Sequence, residues 1–152
     1  MGRYTRKGVS KISFVTTIAS QAAPTIAEIN AGTDLTPQTN DVAGFSFENS
    51  PINVPDLATT FVPQIPGEDA AADSTLTFYD DDASSTIRTA LAKGNAGFIV
   101  LMPYGKTSTK RCEVWPVKST GYNDEWTTGN ESAKAHCKFA VTAAPNQAAT
   151  VT

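Results

Sequence analysis

The chain has 152 residues and a mass of 16.0 kDa, with 40% hydrophobic, 9% aromatic and 18% charged residues and a formal net charge of −3. That length fits one domain, 1–152, and is long enough to bury a core without a disulfide or a metal. The composition excludes a disordered polyelectrolyte and a coiled coil, and the negative balance argues against a dedicated nucleic-acid binder.

The charge is segregated along the chain. Arg3, Arg6, Lys7 and Lys11 open it, and from Ile12 through Ile87 there is no Lys or Arg, although that stretch holds 11 of the 15 acidic residues. Arg88 to Thr152 then carries eight basic against four acidic residues. Such blocks suit a chain that packs against copies of itself, basic patch on acidic patch. No stretch approaches the ~20 apolar residues of a membrane helix, so no membrane anchor is expected. Ile12 to Ile18 alternates with hydroxyl residues, unlike a signal-peptide core, and Arg6 stands where myristoylation needs Ser or Thr.

After an N-terminal arm (1–8), Val9 to Ile18 reads as a strand with Ile12, Phe14, Thr16 and Ile18 on one face. Pro24 to Gly32 reads as one or two helical turns, with Thr25 and Glu28 spaced as a capping box and Gly32 at the exit. Val42 to Phe47 reads as a strand pointing Phe45 and Phe47 the same way. Residues 49–73 hold Pro51, Pro55, Pro63 and Pro66 with Asp56, Glu68, Asp69 and Asp73. Prolines this dense forbid a central strand, so a long Pro/acid-rich loop is expected, with room for one brief strand.

Ser74 to Tyr79 alternates again, with Leu76 and Phe78 on one face. Asp80, Asp81 and Asp82 then precede the strongest helical signal, Ala83–Lys93, where Gly94 serves as C-cap and the three acids as partners of the positive helix end. Phe98 to Met102 reads as a strand buried on both faces, stopped by Pro103 and Gly105. Arg111 to Val117 and Lys134 to Ala143 alternate as strands, and 145–152 is expected as a tail, mobile or docked on a neighbour. The sum is a mainly β fold: an antiparallel sandwich or partly closed barrel with one flanking helix.

No catalytic constellation emerges. Asp80-Asp81-Asp82 lacks the spacing of a calcium loop. His136 and Cys137, adjacent on a strand, point to opposite faces and cannot chelate together, and Cys112 would add only a third ligand. The sole histidine has no nucleophile elbow to serve, and Gly94-Asn95-Ala96-Gly97 leaves a helix rather than opening one, the reverse of a phosphate loop. Asn130-Glu131-Ser132 fits a glycosylation acceptor, a pattern that arises often by chance. Cys112 and Cys137 could bridge, but reduced thiols in two strands are the simpler expectation. Trp115 and Trp126 read as core or interface anchors. No catalytic residue, cofactor or metal is therefore assigned, and no enzyme activity is expected.

Several stretches occur in a telling order. Gly44–Ile52 leads to Pro55–Phe61, Ile65–Asp69 and Leu76–Asp82; the second half has Ile99–Gly105, Cys112–Val117 and Asn123–Trp126. Together, over roughly Gly8 to Val151, these resemble the tail tube (major tail) proteins of long-tailed, non-contractile phages of actinobacteria. His136-Cys137 is atypical of that group. The resemblance implies a β-sandwich or barrel-like subunit with a flanking helix. It implies homohexameric rings whose inner sheets join into one barrel, stacked head to tail around a lumen. Tape-measure protein and then DNA pass through that lumen, and tail-end or terminator proteins close it. It also implies assembly in the host bacterial cytoplasm and residence in the virion. On this reading the interface candidates are Arg3, Arg6, Lys7 and Lys11 against Asp56, Phe61, Glu68, Asp69 and Asp73 of another copy, around a lumen lined by acid or neutral hydroxyls. The alternatives are a small β-barrel binding or capsid-decoration module, and an enzyme using scattered carboxylates.

Overall fold

The structure is a computed structural model that describes residues 2–152. In chain order the elements are β1 (Lys11–Val15), α1 (Ile26–Ala31), β2 (Thr33–Asp34), a 3-10 turn at Thr36–Gln38, β3 (Thr39–Ala43), β4 (Phe47–Asn53), β5 (Gln64–Ala71), β6 (Ser74–Tyr79), α2 (Thr86–Ala90), β7 (Ala96–Met102), β8 (Arg111–Glu125), β9 (Lys134–Val141) and β10 (Asn146–Thr150). With 45% strand, 9% helix and, among the described residues, no closed barrel, the fold is mainly β and antiparallel, consistent with a sandwich flanked by a helix.

Eight strands form one sheet in the order β2-β1-β7-β8-β9-β6-β3, with β10 also on β8. The fifteen-residue β8 organises it. Its first half pairs with β7 and β10, while its second half pairs with β9, and a register shift falls between Ser119 and Gly121. A bulge there bends the strand. The sheet therefore has two halves sharing β8: β2-β1-β7-β8 with β10, and β8-β9-β6-β3.

The main core lies between the halves. Phe14, Ile99 and Trp115 from the first meet Leu76, Phe78, Cys137 and Phe139 from the second, and Ile87 and Leu91 of α2 close one side. The first half is also covered on its other face. Val15, Val100, Met102 and Val114 pack there with Ile29 of α1 and with Ala149 and Val151 near the C-terminus. Burial on both faces is why β7 reads as a continuous apolar run.

Several expectations need correction. The first strand is shorter than 9–18, and both its faces are buried. The helix expected over Ala83–Lys93 is only Thr86–Ala90; its N-cap is Ser85 without a side-chain hydrogen bond, and its C-cap is Leu91 rather than Gly94. The three aspartates do not cap it. Asp81 Oδ1 instead accepts from the Ala83 N–H (2.9 Å) and Oδ2 from Gln38 Nε2 (3.3 Å). Glu28 and Thr25, by contrast, form the expected capping box on α1. Residues 145–152, expected as a tail, contain β10, and the Thr152 carbonyl accepts from the Ile26 N–H at 2.9 Å. The strand expected over Val42–Phe47 is broken at Gly44 and Phe45, whose φ values are 81° and 54°. That break sends Phe45 into the core and leaves Phe47 exposed. Residues 49–73 are not an irregular loop: β4 and β5 pair there as a separate two-stranded sheet. Proline is compatible because each strand has a free edge.

Candidate assembly surface

The β4–β5 hairpin leaves the body where Gly44 and Phe45 turn out of β3. A Cβ on Gly44 would stand 2.1 Å from the Asp73 carbonyl oxygen, so the two chains cross in contact at the hairpin base. Phe45 anchors that base, with its ring edge-on to Trp115 (5.6 Å between centroids) and its N–H donating to Ser74 Oγ at 3.1 Å. The Ala72 N–H donates to the Ser46 carbonyl at 3.0 Å, completing the root.

Beyond the root the hairpin touches little of its own chain. Ile52, Val54, Leu57, Phe61, Val62 and Ile65 are all exposed, Phe61 by 75% and Leu57 completely. Ile52 faces Ile65 across the ladder, with Ser50 and Glu68 paired on the same face. Side chains of this size cluster in water only if something covers them. The tip is nonetheless ordered locally: Asp56 Oδ1 accepts from the N–H groups of Ala58 (2.7 Å) and Thr59 (3.1 Å). Asn49 Nδ2 donates to Asp69 Oδ1 across the strands.

The sequence-derived candidates thus fall into two groups. Asp56 and Phe61 occupy the tip, Glu68 and Asp69 lie on β5, and Asp73 sits at the root. The hairpin from Phe47 to Asp73 carries five carboxylates, adding Glu48, and no base. Arg3, Arg6 and Lys7 lie on an exposed arm and Lys11 opens β1. The arm is tied down by Tyr4 against Tyr104 (centroids 5.4 Å apart) and by Ser10 Oγ donating to the Pro103 carbonyl at 2.8 Å. These contacts set it beside the turn after β7, which adds Lys106 and Lys110, with Arg111 opening β8. The sequence showed bases in both segments but not that they lie side by side, because the two are far apart along the chain.

Neither group is neutralised within the chain. Among the described residues, the ion pairs are Arg88 with Asp80 and Asp124 and Lys134 with Glu131. Of the hairpin's exposed apolar side chains only Phe61 was among the interface candidates; Trp126, read as a core or interface anchor, is 90% exposed in the turn after β8. The run Thr59–Val62 was the visible signal for the former. Nothing local marks Trp126 as exposed and Trp115 as buried.

The other chemical candidates are accounted for by packing. Cys112 and Cys137 are free, buried, and on opposite faces of the sheet, one in each core. Burial pushes the Cys112 thiol up to about 11 and raises Cys137, the reverse of what a nucleophile requires. His136 Nδ1 lies 3.3 Å from Glu125 Oε1 on the face of β9 opposite Cys137.

A family model described as phage tail tube protein matches residues 1–152. No curated protein sequence matches the chain. Among solved structures, a chain from the sheath/tube terminator of the extracellular contractile injection system PVC, in the extended state, is similar with a TM-score of 0.65 and 12% identity, covering 96% of this chain and 99% of that one. A chain from the tail of an empty GTA particle refined with C6 helical symmetry has a TM-score of 0.59 and 13% identity, covering 97% of this chain and 100% of that one. A chain from the PVC sheath–tube complex in the extended state has a TM-score of 0.56 and 12% identity, covering 91% and 88%. At such identities the likeness is one of fold.

Proposed function

The chain belongs to the phage tail tube protein family, and on that premise we propose that it is the repeating subunit of a hollow tail tube. Copies close side by side into rings of six, the symmetry under which the GTA tail was refined, and rings stack head to tail. The role is structural, with no catalytic step. Tape-measure protein and then DNA pass through the lumen, terminator and tail-end proteins cap it, and assembly takes place in the host cytoplasm before residence in the virion. The order of the sequence stretches supports a long non-contractile tail of an actinobacterial phage.

The observation that carries the reading is the match over the whole chain, and two features of the structure support it. Among the described residues the outer edges of β3 and of the second half of β8 bear no further strand, so the half-sheet β8-β9-β6-β3 can continue into a copy on each side. A bare edge of this kind is a template for strand addition. The hairpin supplies unpartnered apolar side chains and unpaired carboxylates, while the arm and the turn after β7 supply unpaired bases. A heterologous contact of hairpin on basic end repeats without closing on itself, as stacking requires.

Sedimentation of the purified chain over a range of concentrations and salt tests this. The expected result is open-ended growth above a threshold, weakened by salt. A mass that stays at one subunit or one small oligomer throughout contradicts it.

A further inference from the structure

The two halves of the sheet are dressed differently, and this asymmetry assigns a direction. The first half carries α1, the segment leading into it and the C-terminal residues on its outer face. The second half, β8-β9-β6-β3, has its inner face in the main core and its other face bare. The register places Thr75 beside Lys138, Thr77 beside His136 and Asp41, and Glu125 beside Lys134 on that bare face. It is mostly polar: Tyr79 beside Lys134 is its one large ring, Ala43 and Ala140 are small, and it has none of the aliphatic side chains of the hairpin.

Resting on the tail tube reading, we propose that this bare face lines the bore, and that the lining is balanced in charge rather than acidic. The half with two open edges is the one that can run continuously around a ring. A second layer packed on such a closed sheet fits outside it, where the circumference is larger, and the first half with its helix is the bulkier layer. The bare face is then the concave one. On it Lys134 and Lys138 stand against Asp41 and Glu125, with threonine hydroxyls between. Lys118, at the bend, is offset by Glu131, which pairs with Lys134 at 3.8 Å. A polyanion moving along such a surface meets neither the continuous repulsion of an acidic wall nor the counterion-releasing grip of a basic one.

The test uses assembled tubes and the two buried, unreactive native thiols as silent background. Lys138→Cys on the bare face and Ala27→Cys on the exposed side of α1 are treated with a maleimide joined to a polymer too large to enter the bore. In dissociated subunits both label. In tubes, Ala27→Cys is expected to label while Lys138→Cys loses labelling, yet still reacts with a small maleimide. Labelling of Lys138→Cys by the large reagent along the tube wall overturns the assignment. Should that variant fail to assemble, Ala140→Cys on the same face replaces it with the same expectations. Failure of the unaltered chain to form tubes contradicts the tube reading itself, and with it the lining.

The charge balance has its own readout, retention of short DNA by tubes at low salt. The unaltered tube is expected to retain none, and Asp41→Lys/Glu125→Lys to retain DNA that salt releases. Retention by the unaltered tube shows a basic lining, and lack of retention by the variant shows a face that DNA does not meet.

Discussion

Gly44 has no room for a side chain. At φ 81°, with the Asp73 carbonyl 2.1 Å from where a Cβ would lie, Gly44→Ala meets both the left-handed penalty and a backbone collision. The first term alone is about 1–2 kcal/mol, so a loss of at least that size is expected in urea unfolding. A change within about 0.5 kcal/mol, as for an ordinary surface site, contradicts the hairpin-root geometry. Glu28 offers a pH signature. Its carboxylate accepts from the Ala19 N–H (2.7 Å) and the Thr25 N–H (3.1 Å), and those bonds hold it below the ordinary carboxylate range. A lowered folded-state pKa contributes stability above the unfolded value, and the contribution is lost as pH falls through the folded value. The stability gap between the native chain and Glu28→Gln is therefore expected to be open near neutrality and to narrow on acidification. A gap independent of pH refutes the assignment. The capping box was legible in the sequence because both partners lie three residues apart. The Gly44–Phe45 break was not, because its cause is the contact with Asp73.

At the scale of elements, the hairpin and α2 show what local reading can and cannot reach. The three aspartates before α2 looked like helix partners, but Asp81 serves the turn at Ala83 and Gln38 of a distant segment, and Asp80 lies 3.8 Å from Arg88. The helix ends where side chains take its last carbonyls: Asn95 Nδ2 donates to those of Thr89 (3.2 Å) and Ala90 (3.0 Å), and Ser119 Oγ to that of Leu91 (2.7 Å). The last strand was hidden for a related reason: Asn146-Gln147-Ala148-Ala149-Thr150 has little β pattern of its own, and only β8 makes it a strand. In 49–73 the prolines correctly ruled out a central strand but concealed a hairpin whose two strands are both edges. Since that hairpin contributes almost nothing to either core, replacing 54–63 by a two-residue turn is expected to leave the unfolding midpoint nearly unchanged and to abolish higher-order assembly. A large loss of stability instead would place the hairpin in the fold of the subunit. Trp126 supplies a spectroscopic view of its own turn. Trp115→Phe removes a buried indole N–H that has no acceptor and leaves one tryptophan. The remaining emission is expected to shift to the blue on assembly, and an unshifted spectrum shows that this turn stays in water.

For the whole molecule, the segregation of charge along the sequence becomes a segregation in space. The bases of the first eleven residues join those after β7, and the carboxylates between Phe47 and Asp73 leave the body together on one arm. The mainly β class, the alternation of β6 and β9 and the doubly buried β7 were legible from periodicity alone. The shared, bent β8 was not, since its fifteen residues change partners halfway. Which face of the second half stays bare follows only once the register is known. What joins these features is a subunit with complementary ends and two open sheet edges. Electron microscopy of the purified chain at high concentration measures that most directly. Hollow filaments with a regular axial repeat, lost on reversing Glu68 and Asp69 to Lys while the subunit stays folded, are the predicted result. Discrete particles alone at every concentration and salt, or filaments indifferent to that reversal, would contradict the account.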